Sequence, residues 1–162
     1  MENAVILILM EVAIILLVIG GAVILFAGGG DAIGELMGNL SPSEIAGYAQ
    51  GAGFSGSDLV MAVSVALAES SGNPGAVGDT AITPGGSIGL WQINLRWHPE
   101  FNGQDLTDPQ TNANAAYSIY RAAGNSFSPW STYGNGMASS QFSRASAGVT
   151  EMQGTAGDIE SA

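Results

Sequence analysis

"DLVMAVSVALAESSGNP", residues 58–74, decides how the chain is read. From Asp58 to Ser70 nearly every position is apolar or small, the pattern of a helix buried on most of its circumference. Gly72 and Pro74 stop it, so Glu69 falls in its last turn. The C-terminal end of the helix dipole disfavours negative charge, and apolar surroundings disfavour any charge; both raise the pKa of Glu69. The residue is therefore expected to hold a proton near neutral pH, as a general acid must.

Working outward, "SPSE" at 41–44 supplies an N-cap serine, a proline at the first helical position and a glutamate three residues on. That capping box predicts a short helix toward Gln50. "TDPQTNANAAYSIYRAAGN", residues 107–125, announces another, with Asp108 as N-cap, Pro109 first and Gly124 as the stop. The glycine-rich "GDTAITPGGSIG" at 78–89 predicts a loop or short hairpin beside the acid. A short final helix is expected from Ala138 to Ala145, and the small, acidic residues 148–162 are expected to form a flexible tail.

Ala4 to Ala27 is one apolar run interrupted only by Glu11. As a helix it would extend roughly 36 Å, enough to cross a hydrocarbon core of about 30 Å. It reads as a transmembrane anchor over residues 1–27, with a glycine-rich linker at 28–40 and a folded domain at 41–147. "MEN" offers no positive n-region, which argues against a cleaved signal peptide. An ionised Glu11 deep in a bilayer would be costly, so a protein partner near Glu11 is one way to satisfy it.

Composition removes whole classes of function. The 162 residues contain no lysine and only Arg96, Arg121 and Arg144 as cations, for a formal net charge of −11. No basic surface exists to neutralise phosphates, which argues against nucleic-acid binding. With no cysteine and one histidine, His98, no zinc site or disulfide framework is expected, and no cofactor is called for. Chemistry falls to carboxylates, amides and hydroxyls.

Four segments in order, "ALAESSGNPGAVGD", "SIGLWQIN", "LTDPQTNANAAYSIY" and "WSTYGNG", resemble the lysozyme-like lytic transglycosylase and goose-type lysozyme superfamily, especially its phage-borne versions. The resemblance runs from about Ser41 to Arg144 and leaves out the apolar N-terminus and the tail. It implies a small, mainly α, lysozyme-like domain of α+β type dominated by helices. It also implies that Glu69 protonates the β-1,4 glycosidic oxygen between N-acetylmuramic acid and N-acetylglucosamine in peptidoglycan.

Gln92 and Asn94 match positions lining the glycan cleft, and Tyr133 matches a tyrosine near the catalytic carboxyl. Ser70 and Ser71 adjoin the acid and are candidates to orient it, with Ser71 also the candidate for substrate contact; local capping is the alternative for both. Trp91, Trp97, Tyr117 and Trp130 read as packing residues more readily than as sugar platforms. His98, before a proline, reads as a loop residue.

Asp79 falls where goose-type lysozymes carry an aspartate that positions the hydrolytic water. The companion aspartate is replaced by Asn94, and this departure favours a lytic transglycosylase, in which Glu69 serves first as acid and then as base to give a 1,6-anhydro product. Inverting hydrolysis through Asp79 stays open, as does a catalytically silent structural protein of a virion membrane. The expected setting is a single-pass protein anchored in a bilayer through residues 4–27, virion-associated, acting on a host cell envelope during genome entry.

Overall fold

The computed structural model describes residues 14–19, 22–27, 38–81 and 85–160, with side chains described over 38–81 and 85–156. Two units are distinguished, one ending at Gly38 and one beginning at Asn39.

In the first unit, β1 (Ile14–Ile19) pairs antiparallel with β2 (Ala22–Ala27), in a register running from Ile14 opposite Ala27 to Ile19 opposite Ala22. This corrects the expected transmembrane helix over the part of 4–27 that is described. The reason lies in the residue types. β-Branched isoleucine and valine favour strands. Length and hydropathy alone cannot separate such a run from a helix. Among the described residues no helix is long and apolar enough to cross a membrane. Glu11 and most of the linker lie outside the described residues.

The second unit is helix-dominated. Helix α1 (Pro42–Ala52) opens with the expected capping box: the Ser41 side chain accepts from the Glu44 N–H, and the Glu44 carboxylate takes the Ser41 N–H at 2.8 Å. Helix α2 (Gly56–Ser70) buries Leu59, Ala62, Val63, Val65, Ala66 and Leu67, the wide apolar face its sequence predicts. Ser71 ends it in the left-handed region at φ 54°, followed by Gly72 at φ 85°. A Cβ on Gly72 would stand 2.5 Å from the Leu40 carbonyl oxygen, so only glycine lets the chain entering the domain pass this close to the end of α2.

A three-stranded antiparallel sheet follows, β3 (Val77–Gly78), β4 (Ser87–Ile88) and β5 (Ile93–Asn94) in that order. Its central residue Ser87 lies opposite Gly78 on one side and Asn94 on the other. After a 3-10 turn at Pro99–Phe101, helix α3 (Pro109–Ala122) begins at Asp108, whose carboxylate accepts the Thr111 N–H at 2.8 Å. Short helices α4 (Ser131–Gly134) and α5 (Met137–Ser140) lead into α6 (Phe142–Glu160).

Helix α6 corrects two expectations, a final helix ending near Ala145 and a flexible tail from 148. It packs on α1 and α2, with Ala145 and Val149 buried and Met152 against the core. Gly148 permits the close approach: a Cβ there would meet the Pro42 Cβ at 2.5 Å. Helical propensity in this stretch is weak, and burial against two helices overrides it.

The core joins these elements through α2, Trp91 and an aromatic cluster of Phe54, Tyr117, Tyr120, Phe127 and Trp130. Trp91 is fully buried and donates its indole N–H to the Ala62 carbonyl at 3.0 Å. Trp130, also buried, donates to the Trp91 carbonyl at 2.9 Å. Both tryptophans therefore pack, as their spacing suggests.

Candidate active site

Glu69 stands in the last turn of α2, half-buried. Burial pushes its pKa up, and the negative charge of Asp79 adds to that; the Thr132 hydroxyl, donating to Oε1 at 2.7 Å, pulls the other way. Desolvation is the largest effect, so the carboxyl retains its proton to a higher pH than a solvated glutamate. Thr132 is itself buried at the start of α4, where Trp130 and α4 dock against the core. The bond is short, and both ends are carried by packed elements.

Asp79 is exposed, just beyond β3, with φ at 56°. Its Oδ2 accepts the Ser87 hydroxyl at 2.7 Å, and Ser87 Oγ in turn accepts the Asn94 amide at 3.0 Å. The sheet register produces this row, because Ser87 sits directly across from Asn94 on the same face. Asn94 Oδ1 also takes the Arg96 N–H at 3.1 Å. The structure thus unites Glu69 with Thr132, and Asp79 with Ser87 and Asn94, and the two carboxylates feel each other's charge.

The other candidates are placed as follows. Gln92 has φ at 50°, and its amide nitrogen donates inward to the carbonyls of Gly89 at 2.9 Å and Ala76 at 3.2 Å. Its Oε1 occupies the space a Cβ on Gly78 would need. The side chain holds the loop together and keeps only its oxygen for a ligand. Ser71 is exposed at the α2 C-cap; Ser70 bonds locally, donating to the Ala66 carbonyl at 3.0 Å and accepting the Gly72 N–H. Tyr133 follows Thr132 on α4, is 42% exposed, and leans toward Phe127 with ring centroids 5.9 Å apart. His98 hydrogen-bonds Glu100 at 3.1 Å beside the 3-10 turn.

A cavity of about 160 Å³ adjoins the sheet, lined by Gln92, Asn94, Trp97 and Trp130 among others. A larger one of about 570 Å³ lies between the 3-10 turn and α3 and is lined by none of the candidate site residues, so volume does not mark the site. Among the described residues no group of three or more metal-ligating side chains converges.

Three residues escaped the sequence reading. Thr132 and Ser87 lie inside quoted motifs, but nothing local shows that one faces the acid and the other bridges Asp79 to Asn94. Asn112, fully buried on α3, accepts the Trp91 N–H and donates to the carbonyls of Ile88 and Leu106, all at 2.9 Å. It fastens the "GLWQ" turn to α3. Gly89 makes room for it: at φ 78°, a Cβ would stand 2.3 Å from the Asn112 amide nitrogen. The asparagine of "DPQTN" thereby explains its own spacing, four residues past the N-cap, one turn into the helix.

A lysozyme-like domain family model matches residues 46–132, which takes in Glu69, Asp79, Gln92, Asn94, Asn112 and Thr132. No curated protein and no solved structure matches the chain significantly. The matched segment covers more than half of the chain and carries the acid, the sheet and the turn that surround it, so the chain belongs to the lysozyme-like domain family, a membership that points to peptidoglycan cleavage in general terms.

Proposed function

We propose that the chain is a peptidoglycan lytic transglycosylase with Glu69 as its acid. The observation that carries this reading is a half-buried carboxyl at a helix C-terminus, kept protonatable by burial and oriented by Thr132 at 2.7 Å. In the first step Glu69 gives its proton to the glycosidic oxygen as the C1–O bond breaks, and the sugar carrying the new 4-hydroxyl leaves. In the second, the Glu69 carboxylate takes the proton of the muramoyl C6 hydroxyl while O6 bonds to C1. The acid is regenerated, a 1,6-anhydro ring closes, and no water is consumed.

The choice of transglycosylation rests on Asn94 and Ser87. Where an inverting hydrolase benefits from a carboxylate free to activate water, Asp79 is engaged by Ser87, which is itself tied to the neutral Asn94. One observation favours the second reading, an inverting hydrolase using Asp79: the charge of Asp79 reaches Glu69, so both carboxylates belong to one site. Product chemistry separates the two. Zymography on peptidoglycan tests both against a silent structural role, which predicts no clearing by the folded protein.

The setting we propose is a virion-associated enzyme that opens a host wall locally during genome entry. Its support is the likeness of the four motifs to phage-borne domains. The apolar composition of residues 4–27 suits a bilayer, with a membrane or virion protein partner near Glu11. Presence of the protein in purified virions, and its release by detergent but not by salt, is the expected result.

A further inference from the structure

The end of α2 away from Glu69 borders a second concave site. Asp58 lies in the first turn of α2 and Glu69 in the last, so about 16 Å of helix separates them. Beside Asp58 is a cavity, also of about 160 Å³, where the end of α1, the start of α2 and the end of α3 meet. Gly53, Asp58, Tyr117, Tyr120, Arg121 and Asn125 are among its lining residues, and none of them takes part in the site at Glu69.

Its aromatic wall is well fixed. The Tyr117 ring stands edge-on to Phe54 with centroids 5.0 Å apart and stacks with Tyr120 at 6.0 Å. Gly53, at φ 119°, lets that ring reach the backbone, since a Cβ there would stand 2.8 Å from the Tyr117 ring carbons. Tyr120 is buried and donates its hydroxyl to Asp58 Oδ2 at 2.6 Å, joining α3 to α2.

Two opposite charges line this space without meeting. Asp58 and Arg121 are both exposed and both line the cavity, yet no ion pair forms between them. Each is held by a neutral neighbour: Asp58 by the Tyr120 hydroxyl, and Arg121 by Asn125, whose Oδ1 accepts from Nη1 at 2.8 Å. Asn125 adopts the left-handed backbone that asparagine tolerates, at φ 61°. Arg121 is one of only three cations in a chain of net charge −11, and its hydrogen bond goes to an amide, not to the carboxylate that shares the cavity.

We infer that this cavity binds a small zwitterion, an α-amino acid of the size of glycine or alanine. The ligand's ammonium meets Asp58, and its carboxylate meets the planar donor fork of Arg121. At roughly 30 Å³ per water the space equals about five waters, which suits a ligand of about five or six non-hydrogen atoms. A molecule with one charge satisfies only one side. Binding ties α2 to α3 and therefore stabilises the folded chain.

The test is an NMR titration of the full chain in detergent, following the ring signals of Tyr117 and Tyr120, with glycine and alanine as probes and acetate and methylammonium as single-charge controls. Glycine and alanine shift these signals saturably and raise the melting temperature, and each control binds at least about tenfold more weakly. Asp58→Asn keeps an oxygen for the Tyr120 hydroxyl and so keeps the fold; it weakens glycine about tenfold, as does Arg121→Gln on the exposed side. Glu69→Gln leaves glycine binding unchanged, so this site and the cleavage chemistry stand or fall separately. No saturable shift with either amino acid, a control that binds as tightly, or full affinity in both Asp58→Asn and Arg121→Gln overturns the site.

Discussion

Asn112→Ala is the substitution with the most to say about how the site is built. The amide makes three hydrogen bonds, each 2.9 Å, to the Trp91 N–H and to the Ile88 and Leu106 carbonyls, from a position with no solvent exposure. Alanine removes all three and leaves three backbone groups unsatisfied where water has poor access. At roughly 1 to 3 kcal/mol for each, reduced because the loop relaxes, the loss comes to about 3–5 kcal/mol. A domain of this size has about 5–15 kcal/mol in all, so the melting temperature should fall by roughly 10–20 °C. Urea unfolding followed by tryptophan fluorescence measures it, with the slope unchanged if only the folded state is affected. A loss below about 1 kcal/mol would show that the "GLWQ" turn does not depend on this amide, and the account of its spacing would be wrong.

Other outcomes follow from the same geometry. Thr132→Val removes the bond that lowers the Glu69 pKa, so the alkaline limb of the rate profile should move to higher pH, with kcat reduced about three- to tenfold; an unmoved limb would count against the contact. Because burial raises the folded-state pKa of Glu69, ionising it costs stability as pH climbs from the ordinary carboxylate range through that raised value. Glu69→Gln should therefore gain stability relative to wild type as pH rises from 4 to 7, by no more than about 1 kcal/mol given the partial exposure, as differential scanning calorimetry would register. Asp79→Asn should leave the anhydro product and cost less than about tenfold in rate; a loss of a hundredfold or more with reducing-end products would favour hydrolysis. Gly148→Ala sets a Cβ 2.6 Å from the Pro42 carbonyl carbon and should destabilise by about 1–3 kcal/mol in denaturant titration.

What was legible in the chain was local. The Ser41 box, the Asp108 cap and the stop after Ser70 each depend on residues within four positions, and all three stand where expected. Two misreadings share a different cause. Ile14 to Ala27 satisfies the hydropathy of a helix, and length and hydropathy alone cannot reveal the strands that its β-branched residues favour. Residues 148–160 are small and acidic, and only the groove around Pro42 makes a helix of them, through a glycine whose role is invisible without its neighbour.

At the candidate site, the place of Glu69 in the last turn of a helix and the upward push on its pKa were legible, because both depend on the helix that carries it. Thr132 and Ser87 were not, since a hydroxyl in a motif says nothing of what it faces until the sheet register and the docking of α4 are known. Gln92 shows the converse. Its motif marks it plainly, but the structure commits its amide donors to the fold.

Digestion of purified sacculi by the full chain, with mass spectrometry of the released muropeptides, tests the central claim most directly. Wild type should release fragments ending in 1,6-anhydromuramoyl residues, and Glu69→Gln should release none above background. Equal release by Glu69→Gln, or no release by the folded wild-type protein, would contradict the assignment of Glu69 as the acid of a peptidoglycan-cleaving site.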